Sequence, residues 1–183
     1  MKKEKIILAS KSPRRSEILK KHNIEFEVIA PTGNEKNIVG EKYTEALVNE
    51  CAIEKAKSVG ANCVSPIVSC DTVVVNDGII IGKPKDRQDA INTLKSLSGK
   101  THIVASSICV LRENDIKVAH EITKVTFRDL TDKEIEAYID RCNPLDKAGS
   151  YGIQDEGFDF AVKVDGNIDN VIGFPMSAFS SII

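Results

Sequence analysis

Apolar and polar positions follow two rhythms along this chain, one of period two and one near 3.6, and the switches between them mark out its elements. Lys5 to Ser10 reads as a short buried first strand. Ser12-Pro13 then offers a helix start, with Ser12 as N-cap and proline at the first helical position. The helix runs from Pro13 to about His22 with Ile18 and Leu19 inward. Glu25 to Ile29 predicts a strand with Phe26 and Val28 on one side. Residues 42 to 59 carry the longest helical pattern, a stripe of Leu47, Cys51, Ala52, Ala56 and Val59. Ile67 to Val75 is a β-branched strand, Asn76-Asp77-Gly78 supplies hairpin chemistry, and Ile79 to Ile81 returns. Asp89 to Leu97 predicts a helix with Ala90, Ile91, Leu94 and Leu97 inward, closed near Gly99. Residues 102 to 111 and 116 to 128 form a long strand pair around Glu113-Asn114-Asp115. Thr131-Asp132-Lys133-Glu134 is a capping box opening a helix to about Arg141. From Pro144 onward the pattern gives loop, a strand near Phe160 to Val164, and a short terminal helix. Interleaved helices and strands predict an α/β fold, and the hairpins argue against a purely parallel, doubly wound sheet. The expectation is a mixed α/β domain.

Composition narrows the function classes. The 183 residues are 42% hydrophobic and 28% charged, the profile of a soluble globular chain, and no repeat or linker divides it. A net charge of −2 lacks the basic excess of proteins that grip nucleic acid through its phosphates, so no nucleic-acid partner is expected. Apolar runs such as Thr72–Val75 fall far short of the roughly 18 residues of a membrane span. After the basic Met1–Lys5 only Ile6–Ala9 follow before polar residues resume, too short for a secretory signal. Cysteines at 51, 63, 70, 109 and 142 are odd in number and form no C-x-x-C pair, which favours reduced thiols. With no membrane span and no secretory signal in the pattern, the expectation is a cytoplasmic location and no membrane partner. Histidines 22, 102 and 120 show no metal spacing.

Five segments carry candidate chemistry. Ser10-Lys11-Ser12-Pro13-Arg14-Arg15-Ser16 sits at a strand-to-helix turn, where unpaired N–H groups and the positive end of the helix dipole suit an anion. Arg14 and Arg15 oppose that dipole unless an anion compensates; otherwise this is a capped surface helix with solvated arginines. Asp71 interrupts an apolar strand, and a desolvated carboxylate is costly unless paired or metal-bound. It can activate water or hold a divalent cation, or it lies on a solvent face. Lys55 projects close to the apolar stripe of its helix, so it either snorkels outward or meets an anion. Gly82-Lys83-Pro84 is no P-loop, yet glycine before lysine lets backbone and ammonium approach a ligand together. Asp146–Gln154 carries glycines and a glutamine able to bond on two sides, as base recognition requires. Cys70 adjoins Asp71, and nothing marks it as a nucleophile. Cations beside a carboxylate outline nucleotide phosphate chemistry.

These segments resemble a known family. Leu8-Ala9-Ser10-Lys11-Ser12-Pro13-Arg14-Arg15-Ser16-Glu17-Ile18-Leu19 is similar to the opening signature of the Maf proteins. Asp71-Thr72-Val73-Val74, Gly82-Lys83-Pro84 and Leu97-Ser98-Gly99-Lys100-Thr101-His102 follow in the family's order. Asp146–Gln154 and Asn170-Val171-Ile172-Gly173-Phe174-Pro175 complete the set. The resemblance implies a twisted mixed β-sheet with flanking helices and a cleft, as in inosine triphosphate pyrophosphatases. It implies one domain over residues 1–183, two lobes around that cleft, in a family often dimeric. It implies a nucleoside triphosphate pyrophosphatase that leaves a monophosphate. Asp71 then corresponds to the catalytic proton acceptor and to a ligand for a divalent Mg²⁺ or Mn²⁺ cofactor. Arg14, Thr72 and Gln154 match the positions that set base preference. Ser10, Ser12, Arg15, Glu35, Lys55 and Lys83 match polar positions that line the cleft and hold the substrate phosphates. Asp71-Thr72 resembles the branch acting on dTTP and UTP, with modified pyrimidine nucleotides also in range; the branch preferring 7-methyl-GTP has Asp-Gln. Phe174 stands where leucine is usual before Pro175, and Asn143-Pro144-Leu145 is a less typical approach to Asp146. The alternative is a nucleotide-binding regulator of septum formation and cell division with little catalysis.

Overall fold

A computed structural model describes residues 4–33, 36–60, 64–113 and 115–183. In chain order the elements are β1 (Ile6–Ala9), α1 (Pro13–Lys21), β2 (Phe26–Val28), α2 (Glu45–Ser58), β3 (Ile67–Asn76) and β4 (Ile79–Ile81). Then come α3 (Arg87–Leu97), β5 (Thr101–Arg112), β6 (Asp115–Phe127), α4 (Asp132–Cys142), β7 (Ala161–Asp165), α5 (Ile168–Ile172) and α6 (Met176–Ile182). The strands form one seven-stranded sheet in the order β2-β1-β3-β5-β6-β7, with β4 added on β3. β1 runs parallel to β2 and β3, whereas the remaining pairs are antiparallel. The sheet is therefore mixed, as the interleaved elements and hairpins predict.

One edge of β3 opens the sheet. β1 pairs with Ile67–Ser69 and β4 with Val74–Asn76, while the opposite edge of β3 is bonded to β5 from Ile67 to Val75. Among the described residues no strand covers Cys70–Val73 on the first edge. The hairpin that brings β4 back is set by Asp77 and Gly78, whose φ angles of 51° and 80° match the turn that follows strand twist. Where β1 ends and β4 has not begun, the sheet parts into a cleft.

Helices cover both faces. α2 buries Val48, Cys51, Ala52 and Ala56 against β1, β3 and β5, where the fully buried Val48 contributes about 1.5–3 kcal/mol and each alanine methyl less. The Ser69 hydroxyl donates to the Ala52 carbonyl at 2.5 Å and fixes the helix on the strand. On the other face Ile18 and Leu19 of α1 pack with Phe174 and Phe179 around Ile6, Leu8, Val68 and Ile108. α3 and α4 enclose a third core of Leu94, Leu97, Phe127, Ile135, Tyr138, Tyr151 and Phe160.

Several expectations shift. Ser12 occupies the N-cap position of α1 but makes no side-chain capping bond. The helix expected from residue 42 begins at Glu45. Lys42 bridges Ile79, the Tyr43 N–H donates to Gly78, and the Thr44 hydroxyl caps Leu47. Leu47 and Val59 are half-buried, and Val48 takes the central place in the stripe. α3 starts at Arg87, ahead of Asp89, because the Asp86 carboxylate caps the Asp89 N–H. Val28 is exposed, since β2 is an edge strand. Pro144–Asp146 and Ala148–Ser150, expected as plain loop, form two 3-10 turns, and α5 is an additional short helix. The Thr131–Glu134 capping box forms in full.

Candidate active site

The open edge of β3 floors a cleft of about 870 Å³. Because side chains alternate along a strand, Asp71 and Thr72 leave β3 on opposite faces, and both reach the cleft only because that edge is uncovered. Asp71 points toward α2, where Lys55 follows Cys51 by one helical turn, and the Lys55 ammonium donates to Asp71 Oδ1. Both side chains are largely buried, 13% and 14% exposed. Of the two readings of Lys55, meeting an anion is realised at Asp71. Thr72 points the other way, its hydroxyl 2.8 Å from that of Ser106 and 3.3 Å from the Gly173 carbonyl oxygen.

The strand-to-helix turn supplies the second wall. Ser10 Oγ accepts from the Ser12 N–H and from Arg15 Nη1, both at 3.1 Å. Arg15 Nε donates to the Gly173 carbonyl at 3.0 Å. One backbone oxygen therefore orients both Arg15 and Thr72. It is held in place by α5, whose buried Asn170 amide donates to Val104 O and Thr123 Oγ1 of the sheet. With no acidic residue in its first turn, no side-chain cap and two arginines, α1 presents its positive end to the cleft. Arg14 crosses the cleft to donate to Asp146 Oδ2 at 2.6 Å. Burial works against ionisation of Asp146, but hydrogen bonds from Arg14 and Lys147 outweigh it and hold its carboxyl below the ordinary value.

The third wall is the segment from Asp146 to Gln154, together with Gly82 and Lys83 after β4. The Gly149 N–H donates to the Gly82 carbonyl at 3.1 Å, which ties the two stretches together. Lys83 and Gln154 are exposed at the cleft. Ser10, Ser12, Arg14, Arg15, Lys55, Asp71, Thr72, Lys83 and Gln154 thus line one cavity. Glu35 lies outside the described residues. Cys51 also lines the cleft, but burial and then the Asp71 carboxylate push its thiol up to about 11. Burial likewise raises Cys70, so neither thiol is poised as a nucleophile, in keeping with the sequence reading. The four described cysteines are free thiols.

Sequence reasoning passed over two features. Asp146 and Lys147 were visible only as part of a glycine-bearing segment, and nothing in their spacing indicates that Arg14, 132 positions earlier, would dock on Asp146. Gly173 acts through its carbonyl, which leaves no mark on residue type. Among the described residues no group of three or more histidine, cysteine, aspartate or glutamate side chains gathers to cage a metal. A single carboxylate is nonetheless a donor that a hard cation accepts where oxygens from elsewhere complete its shell, and Asp71 at the cleft is such a donor. No described helix is long and apolar enough to cross a membrane.

Comparison with known proteins agrees with this architecture. Among solved structures, the Staphylococcus aureus Ham1 protein superposes with a TM-score of 0.52 over 98% of this chain and 91% of that one, at 14% identity, a likeness of fold alone. Among curated proteins, the dTTP/UTP pyrophosphatase of Aquifex aeolicus is 42% identical over 98% of this chain and 94% of its own length. That of Clostridium perfringens strain 13 is 44% identical over 94% and 92%. That of Acetivibrio thermocellus is 41% identical over 98% and 94%. The profile of the Maf-like proteins matches residues 5–183, so the likeness runs through every wall of the cleft, and the chain belongs to the Maf-like protein family.

Proposed function

We propose that this protein hydrolyses dTTP and UTP to the monophosphate and pyrophosphate, with Asp71 as the general base. The observation that carries the assignment is the Asp71–Lys55 pair on an open strand edge, facing a helix N-terminus and two arginines across one cleft. Full-length relatives 41–44% identical to this chain bear the name of that activity.

In this mechanism Asp71 takes a proton from a water molecule whose oxygen attacks the α-phosphorus. The bond from the α-phosphorus to the bridging oxygen breaks, and that oxygen keeps the electron pair as pyrophosphate leaves. Lys55 fixes the orientation of the Asp71 carboxylate and adds positive charge at the phosphates. Arg15, already oriented by Ser10 and Gly173, the backbone amides of α1 with Ser12, and Lys83 neutralise the remaining phosphate oxygens. Arg14, Thr72 and Gln154 read the pyrimidine, where a buried polar group left unpaired penalises the wrong base. A Mg²⁺ or Mn²⁺ ion held by Asp71 and the substrate would polarise the α-phosphoryl group.

Asp71→Asn keeps the shape and removes the base. Turnover should fall about 10²–10⁴-fold while nucleotide binding survives. The check is to separate the products of UTP and dTTP by ion exchange. UMP or dTMP with pyrophosphate supports the proposal. Diphosphate with inorganic phosphate, or near wild-type turnover in Asp71→Asn, overturns it.

A further inference from the structure

The turn that carries Gln154 is held at both ends by one hydroxyl from another element. Gly152 to Asp155 closes a turn through the Asp155 N–H donating to the Gly152 carbonyl at 3.0 Å, with Gln154 at its third position. Tyr138, on α4, is 1% exposed. Its phenol oxygen accepts the Gly152 N–H at 2.9 Å and donates to Asp155 Oδ2 at 2.5 Å. The first and last residues of the turn thus converge on a single oxygen atom. Burial and then the Asp155 carboxylate push the Tyr138 phenol above its ordinary value, so it stays a donor across the accessible pH range.

The surroundings leave that oxygen little freedom. The Tyr138 ring packs edge-on against Phe158 and Phe160, with centroids 5.9 and 5.1 Å away. A Cβ on Gly152 would lie 2.6 Å from an Asp155 carboxylate oxygen, so only glycine admits the carboxylate this close. Lys147 Nζ faces Asp155 Oδ2 at 3.8 Å and bonds Asp146 Oδ1 at 3.1 Å, which extends the same scaffold to the carboxylate that receives Arg14.

We propose that Tyr138 is the positioning residue for Gln154: by bonding both ends of the 152–155 turn it fixes where the glutamine amide meets the base. The inference rests on the proposed dTTP and UTP hydrolysis and adds a determinant of base selection outside the cleft. Tyr138 itself touches no substrate.

Tyr138→Phe removes one oxygen and leaves the ring in its aromatic cluster. Rates with UTP, dTTP, CTP, GTP and ATP are compared below the unfolding transitions of wild type and variant. Inhibition by inorganic tripolyphosphate, which has the phosphates and no base, is measured beside them. The preference for UTP over the least favoured base should fall about tenfold, the effect of one misplaced hydrogen bond, while the tripolyphosphate Ki stays within about twofold. Asp155→Asn retains an oxygen that accepts from Tyr138 and should keep the preference within about threefold of wild type, whereas Asp155→Ala should lose it as Tyr138→Phe does. If Tyr138→Phe does not fold, the two Asp155 variants decide the matter. An unchanged preference, a wild type with no preference, or a Ki that rises in parallel overturns the role of Tyr138. A wild type that releases no pyrophosphate overturns the proposed function instead.

Discussion

The two walls of the cleft differ in how they are built. On the side of α1 the cluster is mostly aliphatic, and its polar groups come from one short stretch, Ser10 to Arg15, at the end of a strand. On the side of α4 the aliphatic cluster also holds a group of aromatic rings. Phe127, Tyr138, Tyr151, Phe158 and Phe160 stack edge-on or face-on, His102 joins them, and its Nε2 lies 2.8 Å from the Tyr151 hydroxyl. Aliphatic packing presents a helix terminus whose charge field is set by local geometry. The aromatic side instead offers buried hydroxyls and a ring nitrogen, and these pin an irregular segment at named points. Under the proposed function the α1 side brings helix-terminus charge to the phosphates and the α4 side pins the segment of Gln154 for the base. Two residues cross that division: Arg14 reads the base from the α1 side, and Lys83 meets the phosphates from the other.

The largest test of that division is Lys55→Ala. It should lower kcat/KM about a hundredfold for every nucleotide alike and raise the tripolyphosphate Ki, the reverse of the pattern set out for Tyr138→Phe. Parallel steady-state measurements on both variants would break the comparison if their signatures were the same.

A smaller effect concerns stability of the aromatic side. His102 is 2% exposed, and burial lowers its pKa to about 4 from an ordinary 6.5. Because the folded value lies below the unfolded one, the unfolded chain binds more protons in that interval, so this contribution is complete above pH 6.5 and is lost as pH falls toward 4. Between pH 7 and pH 5 the loss is about 2 kcal/mol, or about 4–8 °C in Tm. His102→Gln should flatten that difference in a thermal melt recorded at the two pH values. An equally steep fall in the variant would remove His102 from the account.

The smallest effect falls on the link between the walls. The Arg14–Asp146 pair is partly exposed, 22% and 57%, so Asp146→Ala should cost at most about 1 kcal/mol of stability. By freeing Arg14 it should still change KM for UTP a few-fold, about threefold, with kcat nearly constant. Titration of KM with salt would sharpen the result, since an exposed pair weakens as ions screen it.

How much of this was legible beforehand follows the same divide. The starts of α1 and α4 and the β3–β4 hairpin were readable because their causes are local: Pro13 at the head of α1, the Thr131–Glu134 box and the Asp77-Gly78 turn each act within a few residues. Lys55 was marked by its place beside an apolar stripe, and Asp71 by its presence in an apolar strand. What periodicity could not reveal is that they meet, for that depends on α2 docking on β3. Nothing in the sequence singles out Tyr138, since a hydroxyl is recognised as a clamp only when its partners, 14 and 17 positions away, are in place. The sequence by itself determined the strands and the longer helices, the charge at the head of α1 and the family resemblance, all carried by neighbours in the chain. Only the tertiary structure decided the open edge of β3, the Gly173 carbonyl between Arg15 and Thr72, and the clamp under Gln154. These are backbone pairings and long-range hydrogen bonds, and residue type does not record them.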